Sequence, residues 1–233
     1  MTKYNVETYY IRIPQKGIER HHLMKIREFL DLEELIMLNK YIGKRKAQFA
    51  YSRYLAKYQL SKLMNIPLSN VKFIKTETGK LFLSPECIGN KKMFQFSISH
   101  SGNICVCSIS ETSEVGVDIE NIVKYSRLEI MYKVFNNSEQ QQVNNQHNQY
   151  EKLREFYRIW TKKEAAFKAI NDGISSIYFN DINVPLQLEE SYKTDWLFES
   201  KVIENNFMIS ITVKNTGENA IGGIYKLDIN QIL

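Results

Sequence analysis

The sequence predicts an α+β fold made of two similar halves, and three observations carry this. The chain has 233 residues, enough for one large domain or two small ones packed together. It is 43% hydrophobic and 24% charged, the ordinary balance of a soluble globular protein. Segments of helical period followed by segments of strand period occur twice, before and after about residue 112, although no internal sequence repeat is detectable. The expected division is an N-terminal α+β subdomain at 1–112 and a C-terminal one at 113–233.

The elements follow in order. Residues 6–14 alternate and suit a strand. Asp31 followed by Glu34 is a capping box that opens a helix through "LEELIMLNKYI". After Gly43 a longer helix runs through "KRKAQFAYSRYLAKYQLSKLM". "VKFIK", a turn at "TETGK", and "LFL" read as a hairpin. Strands follow at 93–98, 103–110 and 114–120. The polar stretch "NNSEQQQVNNQHNQ" reads as a mobile loop or a short helix, and it leads into a strong helix at 151–170. The C-terminal part is mostly strand, in "NFMISITVK" and "AIGGIYKLDI".

Composition excludes several classes. A net charge of +5 favours acidic partners, but the basic residues are dispersed and no aromatic RNA-binding pattern accompanies them, so a nucleic-acid binder is not expected. No apolar run approaches the ~20 residues that span a bilayer. The opening "MTKYNVETYYIRIPQK" has no apolar core of a secretory signal, so a cytoplasmic protein is expected. Cys87, Cys105 and Cys107 are an odd set and read as reduced, buried thiols; a Cys-x-Cys metal site lacks a second Cys/His pair.

The stretch "VGVDIE" (115–120) poses the chemical question. Val115, Val117 and Ile119 alternate, so Gly116, Asp118 and Glu120 share the other strand face. Two carboxylates side by side repel. Either water covers them or a cation sits between them, and a rigid carboxylate pair suits Mg²⁺, which completes its shell with waters and substrate phosphates. On the 151–170 helix, Glu164 falls in the apolar sector of Trp160, Leu153, Phe156, Tyr157 and Phe167. Glu151, Arg154, Glu155, Arg158 and Lys162 face elsewhere. An inward carboxylate needs a partner. A pair with Lys168 one turn on contributes only ~0.2–0.5 kcal/mol, whereas a third metal ligand beside Asp118 and Glu120 accounts for it. Lys163 and Lys168 lie at the edges of the stripe, where long stems can reach a phosphate.

"VGVDIE", "FSISHSG" (96–102) and "FYRIWTKKEAAFKA" (156–169), in that spacing, resemble the signature elements of the 4′-phosphopantetheinyl transferases. The match extends from "ETGK" (77–80) to "DGIS" (172–175), more weakly into the helix around 44–57, and the length is similar to the surfactin-type, pseudodimeric branch. The resemblance implies two α+β subdomains related by a pseudo-twofold, an active site in the cleft between them, and a monomer. It implies transfer of the phosphopantetheine arm of coenzyme A to a serine of an apo acyl or peptidyl carrier protein, releasing 3′,5′-ADP. The pathway, fatty acid, polyketide, nonribosomal peptide or lysine biosynthesis, stays open. Asp118, Glu120 and Glu164 match the family's Mg²⁺ ligands. Lys163 and Lys168 match its lysines near the pyrophosphate, and Ser99, His100 and Lys80 match residues at the 3′-phosphate and adenine end. Among Lys40, Lys44, Arg45, Lys46 and Arg53, Arg45 is the preferred further contact to coenzyme A. Glu164 or a metal-bound water is the implied base, and Lys168 the group that steadies the leaving ADP. Val134-Phe135 resembles a carrier-protein contact, and equally a buried anchor. Departures are Ser97 for asparagine, Leu81 for proline and Asn171 for glycine. The rival reading is a non-catalytic module of the same fold that binds carrier proteins or nucleotides; a degenerate copy is expected to have lost a ligand, and this chain keeps all three carboxylates.

Overall fold

The structure is a computed structural model that describes residues 6–77, 79–88, 94–123, 128–170, 181–187, 195–217 and 220–233. Strand β1 (Val6–Arg12) is followed by three helices, α1 (Arg20–Glu28), α2 (Leu32–Lys40) and α3 (Gly43–Met64). The α2 capping box forms as its spacing predicts. Asp31 Oδ1 accepts from the Glu34 amide at 2.9 Å, and Glu34 Oε2 accepts from the Asp31 amide at 3.2 Å. Helix α1 was not anticipated, because its N-cap, Glu19, makes no side-chain cap. The hairpin follows as β2 (Phe73–Lys75) and β3 (Leu81–Leu83), with Gly79 at φ +94° in its turn. A short helix α4 (Pro85–Ile88) precedes β4 (Gln95–Ser101) and β5 (Ile104–Ser110).

The second half repeats this plan. It opens with β6 (Val115–Asn121), passes through α5 (Met131–Val134) and α6 (Asn137–Asn144), and reaches the long α7 (Gln149–Ile170). Three strands close it: β7 (Trp196–Ile203), β8 (Phe207–Lys214) and β9 (Ile221–Leu227). The polar stretch before α7 is helical over Asn137–Asn144. Asn136 and Glu139 form a second capping box there, each bond 2.9 Å.

Sheet topology shows the duplication that the letters hide. One sheet runs β4-β5-β1-β9 and the other β6-β8-β7. Setting β9 aside, each half pairs its first strand antiparallel with the second strand of a later hairpin, β1 with β5 and β6 with β8. Each half also carries one 22-residue helix, α3 or α7, packed on its sheet. Strand β9 then returns to the first sheet as the parallel neighbour of β1.

The sheets pack face to face. Val6, Tyr10, Ile104 and Val106 from the first meet Val115, Val117, Ile119, Ile209, Ile211 and Val213 from the second in one apolar core. The valine face of β6 is thereby consumed, and the opposite face turns to α7. Expected to be half-buried, β6 is in fact covered on both sides at Val115–Ile119. All three cysteines are buried and free, as expected.

Candidate active site

The glycine before the carboxylates has a steric reason. A Cβ on Gly116 would lie 1.9 Å from the carbonyl oxygen of Ala165 and 2.9 Å from the Ala169 amide. Strand and helix backbones touch there, which only glycine permits. Asp118 and Glu120 follow on that face, and Glu164 and Lys168 bracket the contact on α7. All four line one cleft, together with Phe49, Ser52 and Arg53 of α3, Ser99 and His100 of β4, and Trp160. The cleft thus draws on both halves.

Asp118 is only 4% exposed, so water does not cover it. Its Oδ1 accepts from Lys168 Nζ at 2.7 Å and from Ser99 Oγ at 2.8 Å. Lys168 also donates to Ser99 Oγ at 3.0 Å and to the Val117 carbonyl at 3.2 Å. Asp118 Oδ2 is buried with no hydrogen-bond partner among the described residues. Glu120 Oε2 accepts from Ser101 Oγ at 2.7 Å, and the same Oγ accepts from the Asn121 amide at 3.1 Å. Ser97, the departure from asparagine, accepts from the Val117 amide at 3.1 Å. Three serines of β4 therefore stitch the edge of one sheet to the first strand of the other. Their period of two in "FSISHS" was the available signal, since it places three hydroxyls on one strand face.

Burial pushes Glu164 up to about 7; Asp118 and Glu120 add to this, and Lys168 opposes it. Burial likewise raises Glu120, with Ser101 opposing and Asp118 adding. A buried carboxylate oxygen without a donor, beside two carboxylates held above their ordinary range, is a donor set that a hard divalent cation satisfies. Asp118, Glu120 and Glu164 fit that role.

The other expected residues fall in different places. Lys80 lies in an adjoining compartment of the cleft with Gly79, Ser97, Phe167 and, shared by both, Arg53 and Lys168; its Nζ donates to the Ala169 carbonyl at 3.0 Å. His100 is exposed at the cleft wall. Arg45 is exposed and lies over the Tyr41 ring at 4.6 Å, outside the residues lining the cleft. Arg53, about two turns further along the same helix, lines both compartments.

Lys163 is not brought to the cleft. It is fully buried, with Nζ donating to both oxygens of Glu139 at 3.0 and 3.1 Å and to the Ile182 carbonyl. One residue is ~100° of helix, and that step turns Lys163 from the cleft onto α6. Lys162, expected to face away from the apolar stripe, is buried too and donates to the Pro185 carbonyl at 2.7 Å. Phe135 is a buried anchor stacked on Phe156 at 5.4 Å. Asn171 and "DGIS" lie outside the described residues.

Two family descriptions account for most of the chain. Residues 114–212 match the 4′-phosphopantetheinyl transferase superfamily, and residues 18–112 match the 4′-phosphopantetheinyl transferase N-terminal family. The 4′-phosphopantetheinyl transferase HetI of Nostoc sp. is 26% identical over 222 residues, covering 93% of this chain and 92% of that protein. The 4′-phosphopantetheinyl transferase gsp of Aneurinibacillus migulanus is 28% identical over 170 residues, covering 72% and 67%. The L-aminoadipate-semialdehyde dehydrogenase-phosphopantetheinyl transferase of Rattus norvegicus is 24% identical over 204 residues, covering 78% of this chain and 66% of that protein. The chain thus spans just under two thirds of the rat protein's length. With both halves matched in order and the signature residues gathered in one cleft, the chain belongs to the 4′-phosphopantetheinyl transferase superfamily.

Proposed function

We propose that this enzyme moves the phosphopantetheine arm of coenzyme A to a serine hydroxyl of an apo carrier protein, with Mg²⁺ held by Asp118, Glu120 and Glu164. The observation that carries the reading is the Asp118 carboxylate: one oxygen bonded to Lys168 and Ser99, the other buried without a donor, in a cleft shared with Glu120 and Glu164. When bound, the cation supplies charge neutralisation for the pyrophosphate.

The chain's own residues do the rest. Glu164 lines the same cleft and is the carboxylate assigned to accept the serine proton, since a hydroxyl nucleophile needs a base within hydrogen-bond reach. The serine oxygen forms a bond to the β-phosphorus, the one bearing pantetheine. The bond from that phosphorus to the bridging oxygen breaks, and its electron pair leaves with 3′,5′-ADP. Lys168, locked by Ser99, Asp118 and Val117, presents a positive charge to the departing oxygens. Lys80, Ser99 and His100 hold the adenine and 3′-phosphate end.

The net +5 speeds encounter with an acidic carrier surface. Residues from both halves complete the cleft, which suits a monomer. No described helix is long and apolar enough to cross a membrane. Three free thiols suit the reducing cytoplasm. The test is the intact mass of a panel of apo carrier proteins after incubation with enzyme, coenzyme A and Mg²⁺. One added phosphopantetheinyl arm on a carrier serine is expected. No gain on any carrier with folded enzyme sinks the reading.

A further inference from the structure

The turn between β7 and β8 has a backbone that its residues do not favour. Glu204 sits at φ +49° and Asn205 at φ +68°, in the left-handed region that glycine adopts freely. Glycine at 204 would relax the backbone and lose a carboxylate. Strained residues persist where their surroundings hold them, so the neighbours of this turn say what the strain secures.

Three donors of the first sheet converge on Glu204, which belongs to the second half. Tyr10 Oη donates to Oε1 at 3.1 Å, Lys226 Nζ stands 2.8 Å from the same oxygen, and Arg12 Nη2 donates to Oε2 at 2.8 Å. A lone exposed ion pair contributes little. Here both oxygens of one carboxylate, its side chain only 15% exposed, are met by β1 and β9.

The residues that follow hold the strands of the site. The Asn206 carbonyl accepts from the Ile122 amide at 2.7 Å, and Asn206 Nδ2 donates to Asn121 Oδ1 at 3.0 Å. Phe207 and Met208 pair with Asn121 and Glu120 across the ladder. The Phe207 ring packs against Gly102 in the β4–β5 turn: a Cβ on Gly102, which sits at φ +57°, would lie 2.9 Å from the ring. Gln48 of α3 holds the same turn, donating to the Gly102 carbonyl at 3.0 Å. Ser101, the residue before Gly102, carries the hydroxyl bonded to Glu120. Glu120 and its serine thus rest on one element, the start of β8, and Glu204 ties that element to the first sheet.

We propose that residues 204–207 form a clasp between the halves, and that Glu204 and Phe207 are positioning residues for Glu120. Neither residue lines the cleft. This rests on the transferase reading above and deepens it: the placing of one ligand of the Mg²⁺ site is set by contacts made outside the cleft.

The experiment is calorimetric titration of the full chain with Mg²⁺, alongside melts of the metal-free protein and steady-state transfer at varied Mg²⁺. Glu204→Gly removes the carboxylate and relieves the turn, so its metal-free Tm should stay near wild type. Mg²⁺ should bind about tenfold more weakly, as when a group that orients a ligand is lost. Transfer should need correspondingly more Mg²⁺, with kcat restored at saturation. Asn205→Gly relieves the same turn and keeps the carboxylate, so it should bind Mg²⁺ like wild type. Phe207→Leu should weaken Mg²⁺ in the same direction. Combined with Ser101→Ala it should weaken Mg²⁺ no further than Ser101→Ala alone, because Phe207 acts through the turn that carries Ser101. If Phe207→Leu does not fold, Glu204→Gly combined with Ser101→Ala makes the same comparison. A folded Glu204→Gly protein with wild-type Mg²⁺ affinity overturns the role of Glu204, whatever its Tm. An equal loss in Asn205→Gly overturns it too, since the carboxylate would then not be the cause. Additive losses with Ser101→Ala overturn the route through Ser101. A wild-type chain that neither binds Mg²⁺ nor modifies a carrier overturns the transferase reading instead, so the two failures are told apart.

Discussion

Gly116 of β6 and Ala165 of α7 are in backbone contact: any side chain at Gly116 would collide with the Ala165 carbonyl at 1.9 Å. This contact sets the height of α7 over the strand that carries Asp118 and Glu120. Gly116→Ala is therefore expected to be an overpacking lesion, costing about 1–3 kcal/mol or more. Because the helix must lift away from the carboxylates, transfer should fall further than stability does. Melts and turnover of the same preparation compare the two. Unchanged turnover in a destabilised protein would show that helix height is not critical.

Asp118→Asn should abolish transfer while leaving the apo protein folded. The variant loses an ion pair with a partly exposed Lys168, worth about 1 kcal/mol or less, and removes one of three repelling carboxylates. These oppose each other, so little change in Tm without metal is expected. A Tm rise on adding Mg²⁺, present in wild type, should vanish. Persistence of that rise would take Asp118 out of the metal site.

Glu164 makes the metal-free protein sensitive to pH. Its folded pKa, about 7, lies above the ordinary 4.5, so the folded state holds a proton that the unfolded chain releases. Its contribution is most favourable below pH 4.5, declines as pH rises between 4.5 and 7, and is gone above that. Glu164→Gln should therefore melt higher than wild type at pH 8 without metal, with the gap closing towards pH 5. A gap constant across that range contradicts the assigned shift.

Lys163 and Glu139 form a buried pair, so Lys163→Met should act on stability and not on coenzyme A. Leaving Glu139 buried without its cation costs about 3–5 kcal/mol, and replacing both residues by apolar ones recovers much of it. KM measured on the folded fraction should hold. A raised KM with unchanged Tm would instead support a contact to the pyrophosphate.

Ser101→Ala removes the hydroxyl that orients Glu120 and accepts the Asn121 amide. Mg²⁺ titrated against the folded protein, followed by calorimetry, should bind about tenfold more weakly, in line with loss of a partner that orients a ligand. An unchanged affinity would show that Glu120 keeps its rotamer unaided.

What could be read from the sequence was what rests on period and local chemistry. Alternation in "VGVDIE" placed Asp118 and Glu120 on one face, and the helical wheel placed Glu164 beside Trp160 in the same cleft. The Asp31–Glu34 spacing gave the α2 cap, although not the ion pairs that Glu34 makes with Lys57 and Arg53. The misreadings share a cause. Helical spacing sets Lys162 off the apolar stripe and Lys163 at its edge in reach of a phosphate, and only tertiary packing supplies the Pro185 carbonyl and Glu139 that bury them. Arg45 and Arg53 cannot be ranked by sequence, because both lie on one basic helix and only the packed cleft, built from both halves, separates them. Strand β7 and helix α1 lacked caps or clean alternation and were not foreseen.

Strand β9 lies beside β1, although more than two hundred residues separate them along the chain. A ribosome delivers β1 long before β9. Until then β1 keeps one row of backbone donors and acceptors unpaired, and the first half cannot finish its sheet during synthesis, however early its helices form. Completion of the first half's sheet is consequently a late event, set by a loop closure of more than two hundred residues and not by the early emergence of its helices. Trimming the chain before residue 221 would reopen that row of β1 as a sticky edge, and the resulting failure should be self-association rather than a smaller working enzyme.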